Sequence, residues 1–158
     1  MAAFAAESAV RKASAATLAA LRQCSRSGNW QQAVDIVSKA LNSRDTPGQL
    51  RLCMAGVVQG IAACQRGRQW ERAVQVFDDA LGHRLQPDVF ACSALIGACE
   101  RGRQWESALQ VLSDMRGSKF GKVRPNIVSY NSTLSGITAG SQWRHSLRLV
   151  AELLGAAL

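Results

Sequence analysis

The 158-residue sequence predicts an all-α fold, a right-handed superhelical solenoid of antiparallel helical hairpins with about four repeats and about eight helices. One reason is that the six-residue motif RGRQWE occurs twice, at 66–71 and at 101–106. A period between about 20 and 50 residues indicates a repeat array. The other reason is the tryptophans, each followed three positions later by a small residue. They recur at Trp30, Trp70, Trp105 and Trp143.

We assign the whole chain, residues 1–158, to one array. Its first repeat is degenerate and its last is truncated, and the four are 14–53, 54–88, 89–126 and 127–158. Residues 1–13 precede them in an alanine- and serine-rich stretch. Because alanine is the best helix former, this segment is expected to be an N-terminal helix. Its composition also resembles a transit peptide, and both interpretations stay open at this point.

Each repeat is predicted to be two antiparallel helices, A and B, and the third repeat illustrates the pattern. Apolar residues recur at helical spacing over 89–99, which predicts helix A. A second run at helical spacing, over 105–115, predicts helix B. One such pair cannot bury its apolar faces alone, so the pairs are expected to stack.

The boundaries of these helices are also predicted. Gly102 interrupts the apolar pattern, and Gly117 is expected to end helix B in the way that glycine often follows a helix C-terminus. Asp88 and Asn126 each follow a proline and precede an apolar-periodic segment, which predicts a helix N-cap at both positions.

The repeated tryptophan is expected to be largely buried at equivalent places, where it fills the gap between neighbouring units. The small residue three positions later would let helix B approach helix A closely. In the first three repeats that residue is Ala33, Ala73 and Ala108.

Composition narrows the functional classes. The formal charge of +8 points toward a polyanion such as nucleic acid, although a generally basic chain without such a partner is the alternative. The five cysteines form no metal-binding spacing, and three recur at one repeat position, as small packing residues would. Neither a nucleophile–base pair nor a phosphate loop is present. We therefore expect no enzyme activity, metal, cofactor or small-molecule substrate, and no membrane-spanning segment.

Two stretches carry a family resemblance. RLQPDVFACSALIGACERGRQWESALQVLSDM and VRPNIVSYNSTLSG resemble the pentatricopeptide repeat family, in a G-x-W variant like those of algae and other protists. The 35-residue unit 54–88 has that family's length. The resemblance covers nearly the whole chain, and it is strong over 54–140 and weak over 1–50.

The resemblance implies sequence-specific binding of single-stranded RNA, with one base for each repeat. The fifth and last residues of a repeat would read the base: Val58 with Asp88, Ser93 with Asn126, and Asn131 in the fourth repeat. A second-position residue would sandwich the base: Ala55, Phe90 and Val128. A basic residue late in helix A would contact phosphate: Arg26, Arg66 and Arg101. By the family pattern, a small hydroxyl with a last-position Asn favours adenine.

Alternatives remain for these residues and for the chain. Asp88 and Asn126 are also explained as helix caps alone, and Ser93 and Asn131 as ordinary solvated residues. The resemblance implies RNA processing, stability or translation in a chloroplast or mitochondrion, with the cytoplasm and nucleus left open. The competing hypothesis is a protein-binding scaffold without RNA binding. A basic groove would favour RNA, and a neutral apolar groove would favour protein.

Overall fold

The computed structural model describes residues 2–42, 54–117 and 119–139, together with Arg144, Arg148 and Ala151. Within these residues the chain forms seven α-helices and no strand, which confirms the all-α prediction. They are α1 (Ala2–Ser27), α2 (Trp30–Asn42), α3 (Met54–Arg66), α4 (Trp70–Gly82), α5 (Val89–Arg101), α6 (Trp105–Arg116) and α7 (Ile127–Ala139). The count of about eight is thus approximate, because most of the segment expected to form an eighth helix lies outside the described residues.

The helices pair and stack as the repeat pattern predicts. The hairpins are α1 with α2, α3 with α4, and α5 with α6. The A helices α1, α3, α5 and α7 contact one another in chain order and form one layer. The B helices α2, α4 and α6 form the second layer, and each also contacts the A helix that follows it. Every A helix after the first therefore packs against both helices of the preceding repeat.

The first helix is twice as long as the other A helices. α1 runs for 26 residues, from Ala2 through the first predicted repeat boundary, whereas α3, α5 and α7 each have 13. Residues 2–13 are therefore helical and continuous with the first repeat. Transit peptides are amphipathic segments as well, so a helical backbone is compatible with both interpretations of residues 1–13. Targeting therefore stays a prediction.

The turn between helix A and helix B is the same in all three hairpins. The residue before each tryptophan donates its backbone N–H to a cysteine carbonyl five positions back, at 3.1, 2.9 and 2.9 Å. The preceding residue has a left-handed φ of 72° at Gly28, 56° at Arg68 and 58° at Arg103. This is the Schellman ending of a helix, which satisfies carbonyls that would otherwise lack partners.

The repeated tryptophans Trp30, Trp70 and Trp105 stand at equivalent places and are partly exposed, with most of each residue covered, in agreement with the expectation that they would be largely buried. Trp143 lies outside the described residues. Each ring begins helix B and lies over the end of the next A helix, with part of its surface open to solvent. A Cβ built on Gly67 would lie 2.4 Å from Cδ1 of Trp30, and one on Gly102 would lie 2.5 Å from Cδ1 of Trp70.

This contact gives the repeated glycine a role that the sequence pattern did not reveal. Gly102 has φ −77° and Gly117 has φ −74°, so neither uses the left-handed conformation that glycine favours after a helix. Gly67 and Gly102 are needed for space, because a side chain there would overlap the tryptophan of the preceding repeat. Tryptophan and glycine recur together because each pair joins two successive repeats.

The core lies between the two layers and includes the recurring cysteines. Its largest fully buried side chains include Phe77, Ile61, Ile96 and Leu112. Cys24, Cys64, Cys92 and Cys99 are buried free thiols, and burial raises the pKa of Cys64 to about 11 and that of Cys92 to about 12. These thiols pack as small apolar residues, in agreement with the interpretation from their spacing.

Candidate nucleic-acid interface

The predicted reading residues gather at one edge of the A layer. Val58, Ser93 and Asn131 stand in the second turn of α3, α5 and α7, and Asp88 and Asn126 precede α5 and α7. Because the A helices stack in order, their N-terminal ends form a continuous border. We call this border, made of the first two turns of α3, α5 and α7 with their preceding residues, the reading edge.

Large apolar side chains are exposed at the reading edge. Phe90 is 70% exposed, Val128 is 53% exposed and the neighbouring Ile127 is 75% exposed, and these are the exposed large hydrophobics of the described residues. Ala55, the corresponding residue of the second repeat, is exposed as well but is small. Exposed apolar side chains grouped together mark binding surfaces. The structure therefore leaves Phe90 and Val128 accessible, as a base-sandwiching role requires.

Asn126 caps α7 through its side-chain oxygen. Its Oδ1 accepts from the backbone N–H of Ser129 at 3.0 Å and from the Ser129 hydroxyl at 3.1 Å. The predicted N-cap is confirmed. Because both bonds reach the oxygen, the orientation of the amide is fixed and its NH₂ group makes no bond to the described residues. An exposed, oriented donor is therefore presented at the reading edge.

Ser93 is connected to Asn126 through one hydroxyl. The Oγ of Ser93 lies 2.8 Å from the Oγ of Ser129, whose side chain is fully buried. Ser129 in turn bonds Asn126, so the fifth and last residues of the third repeat belong to one hydrogen-bonded chain. The pattern gave no sign of Ser129, because its contacts join residues 36 and 3 positions away.

The second repeat is built differently at the same place. Asp88 caps α5, since its Oδ1 accepts from the backbone N–H of Ala91 at 2.7 Å, and this N-cap is also confirmed. Ala91 occupies the position that corresponds to Ser129, so no hydroxyl connects the cap to the fifth residue. That fifth residue, Val58, is half-buried and apolar. Of the two reading positions in the second repeat, Val58 and Asp88, it is Asp88 that offers a polar group, its second carboxylate oxygen.

The three predicted phosphate ligands lie at the other end of the A helices. Arg26, Arg66 and Arg101 are exposed in the last turns of α1, α3 and α5. Arg66 donates from Nη1 to the carbonyl of Arg26 at 3.1 Å, so it also caps the preceding A helix. With a rise of about 1.5 Å per residue, Arg101 lies about 18 Å along α5 from Val89. The structure therefore separates these arginines from the reading edge.

A groove opens beside the reading edge. It has a volume of about 590 Å³ and lies between the α4–α5 and α6–α7 connectors. Asp88 and Asn126 both line it, and Lys122 and Arg124 supply positive charge from the second connector. Neither basic residue was identified from sequence, because the groove is formed by two connectors about 36 positions apart.

Acidic residues are concentrated on the B layer. They are Asp35, Glu71, Asp78, Asp79, Glu106 and Asp114. Among the A helices whose side chains the structure describes, from residue 15 onward, Glu100 is the one acid. The connectors add Lys122 and Arg124. Positive charge therefore predominates on the A layer and the connectors, which is the distribution that favours a polyanion over a neutral ligand.

The described residues offer neither a metal site nor a membrane span. No group of three or more His, Cys, Asp or Glu side chains is arranged to hold a metal ion in this part of the chain. None of its helices is long and apolar enough to cross a membrane.

Comparisons with known proteins identify what the chain is similar to. The family model described as the pentatricopeptide repeat domain matches residues 63–139. The chain is also similar to a crystal structure of the pentatricopeptide repeat protein PPR10 in complex with an 18-nucleotide psaJ RNA element, with a TM-score of 0.51 and 15% identity over 90% of this chain. A PPR10 variant with cysteines replaced by serine, bound to the same RNA element, has the same TM-score and identity.

These solved structures are longer than the chain. It covers 30% of the length of each. At this low identity the likeness shows the fold, a solenoid of helical hairpins. No curated protein matches the chain.

Proposed function

Because residues 63–139 belong to the pentatricopeptide repeat family, we propose that this chain is a repeat module that binds single-stranded RNA without catalysing a reaction. The observation that carries the proposal is the hydrogen-bonded chain from Ser93 through Ser129 to Asn126, which lies beside the exposed Phe90 and Val128. An oriented polar pair between two accessible apolar side chains is what reading an unstacked base requires.

The arrangement favours one class of base at the third repeat. The Asn126 oxygen is occupied by the helix cap, so the amide offers its NH₂ donor to a ligand. Adenine and cytosine present a ring-nitrogen acceptor on the Watson–Crick edge, whereas guanine and uracil present a ring N–H. The short Ser93 side chain leaves room for a purine. We therefore infer that the third repeat takes adenine between Phe90 and Val128.

Recognition of a single base by one repeat provides too little sequence discrimination to select a transcript. A good base contact provides roughly 1–3 kcal/mol of discrimination. The second repeat presents Val58, which offers no hydrogen bond to a base. PPR10, the RNA-bound protein with the similar fold, is about three times longer, since the chain covers 30% of it. Specific recognition would then require further repeats or a partner protein.

We extend the proposal to RNA processing, stability or translation in a chloroplast or mitochondrion. The support is the family resemblance and a formal charge of +8, which suits a polyanionic partner. Expression of the chain with a fluorescent tag in algal cells tests the location. Accumulation of the tagged chain in the cytosol alone would contradict it.

The test of RNA binding is a fluorescence anisotropy titration. Labelled single-stranded RNA rich in adenine is compared with the same RNA annealed to its complement, at about 50 and 200 mM salt. The single strand should bind more tightly, and its affinity should fall as salt rises because phosphate contacts release counterions. Absence of binding to the single strand at the lower salt would overturn the proposal.

A matched pair of variants tests whether the Phe90 ring contacts an RNA base. Phe90→Ala removes a ring that is 70% exposed, so it should weaken RNA binding and leave the melting temperature nearly unchanged. Stacking contributes roughly 1–3 kcal/mol per base. The control is Gln31→Ala, an exposed and uncharged residue of α2 in the B layer. Equal affinities of the two variants would show that Phe90 contacts no base.

A protein-binding scaffold is the second candidate, and one observation favours it. Ile127 is 75% exposed and has no assigned partner in the RNA proposal. Together with Phe90 and Val128 it forms apolar surface that a peptide could cover. Binding of the chain to a hydrophobic peptide, with no binding to single-stranded RNA, would place this candidate first.

A further inference from the structure

We propose that Lys122 and Arg124, on the connector between α6 and α7, form a second phosphate-binding site that holds the RNA backbone beside the reading edge. The inference rests on the proposed function. It adds a site away from the helix-end arginines Arg66 and Arg101.

The connector that carries these residues is anchored to the preceding repeat. Phe120 is 8% exposed, and its ring meets that of Phe77 in α4 edge to face, with centroids 5.5 Å apart and an interplanar angle of 86°. Lys119 pairs with Asp114 of α6 at 2.7 Å. These contacts fix the connector on both α4 and α6. Lys122 and Arg124 therefore extend from a supported segment.

Both basic side chains are available to a ligand. Lys122 and Arg124 are exposed, and neither has a hydrogen-bond or ion-pair partner among the described residues. The acid that shares their groove is Asp88, whose Oδ1 is engaged with the backbone N–H of Ala91 at 2.7 Å, at the positive end of α5. Lys119 differs from them because Asp114 already neutralises its charge.

The groove has the position that a phosphate site needs. Lys122 and Arg124 line it together with Asp88 and Asn126, the last residues of the second and third repeats. Because Asp88 and Asn126 belong both to the reading edge and to this groove, the backbone of an RNA whose base is held at the reading edge would pass beside it. Arg101 lies at the far end of α5, about 18 Å from its N-terminus. The connector therefore supplies positive charge where the helix-end arginines do not.

The site belongs to this particular connector. Between α6 and α7 the chain runs from Gly117 to Asn126, whereas between α4 and α5 it runs only from His83 to Asp88. The longer connector supplies both the anchor Phe120 and the basic Lys122. The shorter connector has Arg84 but contains no Phe, Tyr or Trp that could anchor it as Phe120 does. The longer connector, which interrupts the repeat pattern, therefore places positively charged side chains along one side of the groove.

The experiment compares the salt dependence of RNA binding by three forms of the full chain. They are the unaltered chain, Lys122→Gln with Arg124→Gln, and the control Lys39→Gln with Arg72→Gln, which removes the same charge from the B helices. The probe is a labelled single-stranded RNA rich in adenine. Each lost phosphate contact should lower the slope of log affinity against log salt by about 0.7, so the first double variant should lose about 1.4. The control should retain the slope of the unaltered chain.

The outcomes separate this inference from the function on which it rests. If the unaltered chain does not bind the RNA, the proposed function fails. If it binds, and both double variants lose the same slope, the effect is general charge and the connector site is wrong. Lys122→Arg with Arg124→Lys keeps both charges and should restore the full slope. Failure of this charge-preserving variant to restore it, with an unchanged melting temperature, would also overturn the site.

Discussion

The hydroxyl oxygens of Ser93 and Ser129 lie 2.8 Å apart, in a hydrogen bond that joins α5 to α7 across the boundary between two repeats. Ser129 is fully buried, and its hydroxyl also reaches Oδ1 of Asn126 at 3.1 Å. Residues that the family pattern assigns to base reading are therefore positioned by a residue to which it assigns no role. The reading pair is preorganised before any ligand arrives.

Ser129→Ala should reduce base discrimination more than it reduces stability. The variant loses three hydroxyl contacts, with Ser93 Oγ and with Oδ1 and the backbone N–H of Asn126, at a cost of about 1 kcal/mol in the free energy of unfolding. Asn126 keeps the backbone N–H of Ser129 at 3.0 Å, so the cap persists while its amide becomes less constrained. Affinities for short RNAs that differ at one base measure the discrimination. The control is Ser132→Ala on the same helix, and equal selectivity in both variants would assign Ser129 a purely structural role.

Asn126→Asp should shift base preference from adenine toward guanine. One carboxylate oxygen can keep the cap that Oδ1 now makes with Ser129, and the other replaces the outward NH₂ donor with an acceptor. Guanine offers a ring N–H and an amino group to that acceptor. The measurement is the ranking of RNAs that carry each of the four bases at the facing position, in an array long enough to bind them. An unchanged ranking would mean that Asn126 only caps α7.

The buried thiols predict a loss of stability in alkali. Burial raises the pKa of Cys92 to about 12 and the pKa values of Cys64 and Cys99 to about 11, from 9.0. Above about pH 9 the unfolded chain ionises these thiols while the folded chain keeps them protonated, so stability is full below pH 9 and falls as the pH rises toward 11. Urea unfolding at pH 8 and at pH 10.5 measures the loss. Cys92→Ala should show a smaller loss, and an equal one would contradict this origin.

Much of the architecture could be predicted because it follows from local pattern. Helical periodicity placed α5 and α6, and a polar residue after a proline identified the caps Asp88 and Asn126. Each of these features depends on residues within about four positions of one another. Local chemistry of this kind is visible in a single sequence.

The rest depends on contacts between repeats. Periodicity shows which face of its helix Trp70 occupies but not which residue of the next repeat it meets, so its contact with Gly102 was missed. Ser129 bonds a residue 36 positions away. The groove that contains Lys122 exists only because two connectors meet. Distances across a stack are set by packing, and a single sequence carries no direct record of them.

Gly102→Ala tests the contact that explains the repeated motif. The backbone of Gly102, at φ −77° and ψ −2°, suits alanine, so the backbone adds no strain. The new Cβ would lie 2.5 Å from Cδ1 and 2.8 Å from Cβ of Trp70. Overpacking of this kind typically costs about 1–3 kcal/mol. Thermal or urea unfolding measures the loss.

Two further variants test whether the Trp70 ring causes this loss of stability: one removes the ring, and the other alters a different glycine. In a Trp70→Ala background the ring is absent, so Gly102→Ala should cost nothing or stabilise α5, and the double-mutant cycle should give a coupling of at least about 1 kcal/mol. The control is Gly82→Ala, because a Cβ on Gly82 meets no atom within 4 Å. If Gly102→Ala is equally costly without the ring, the glycine is required for another reason and the pairing of successive repeats through tryptophan and glycine is wrong.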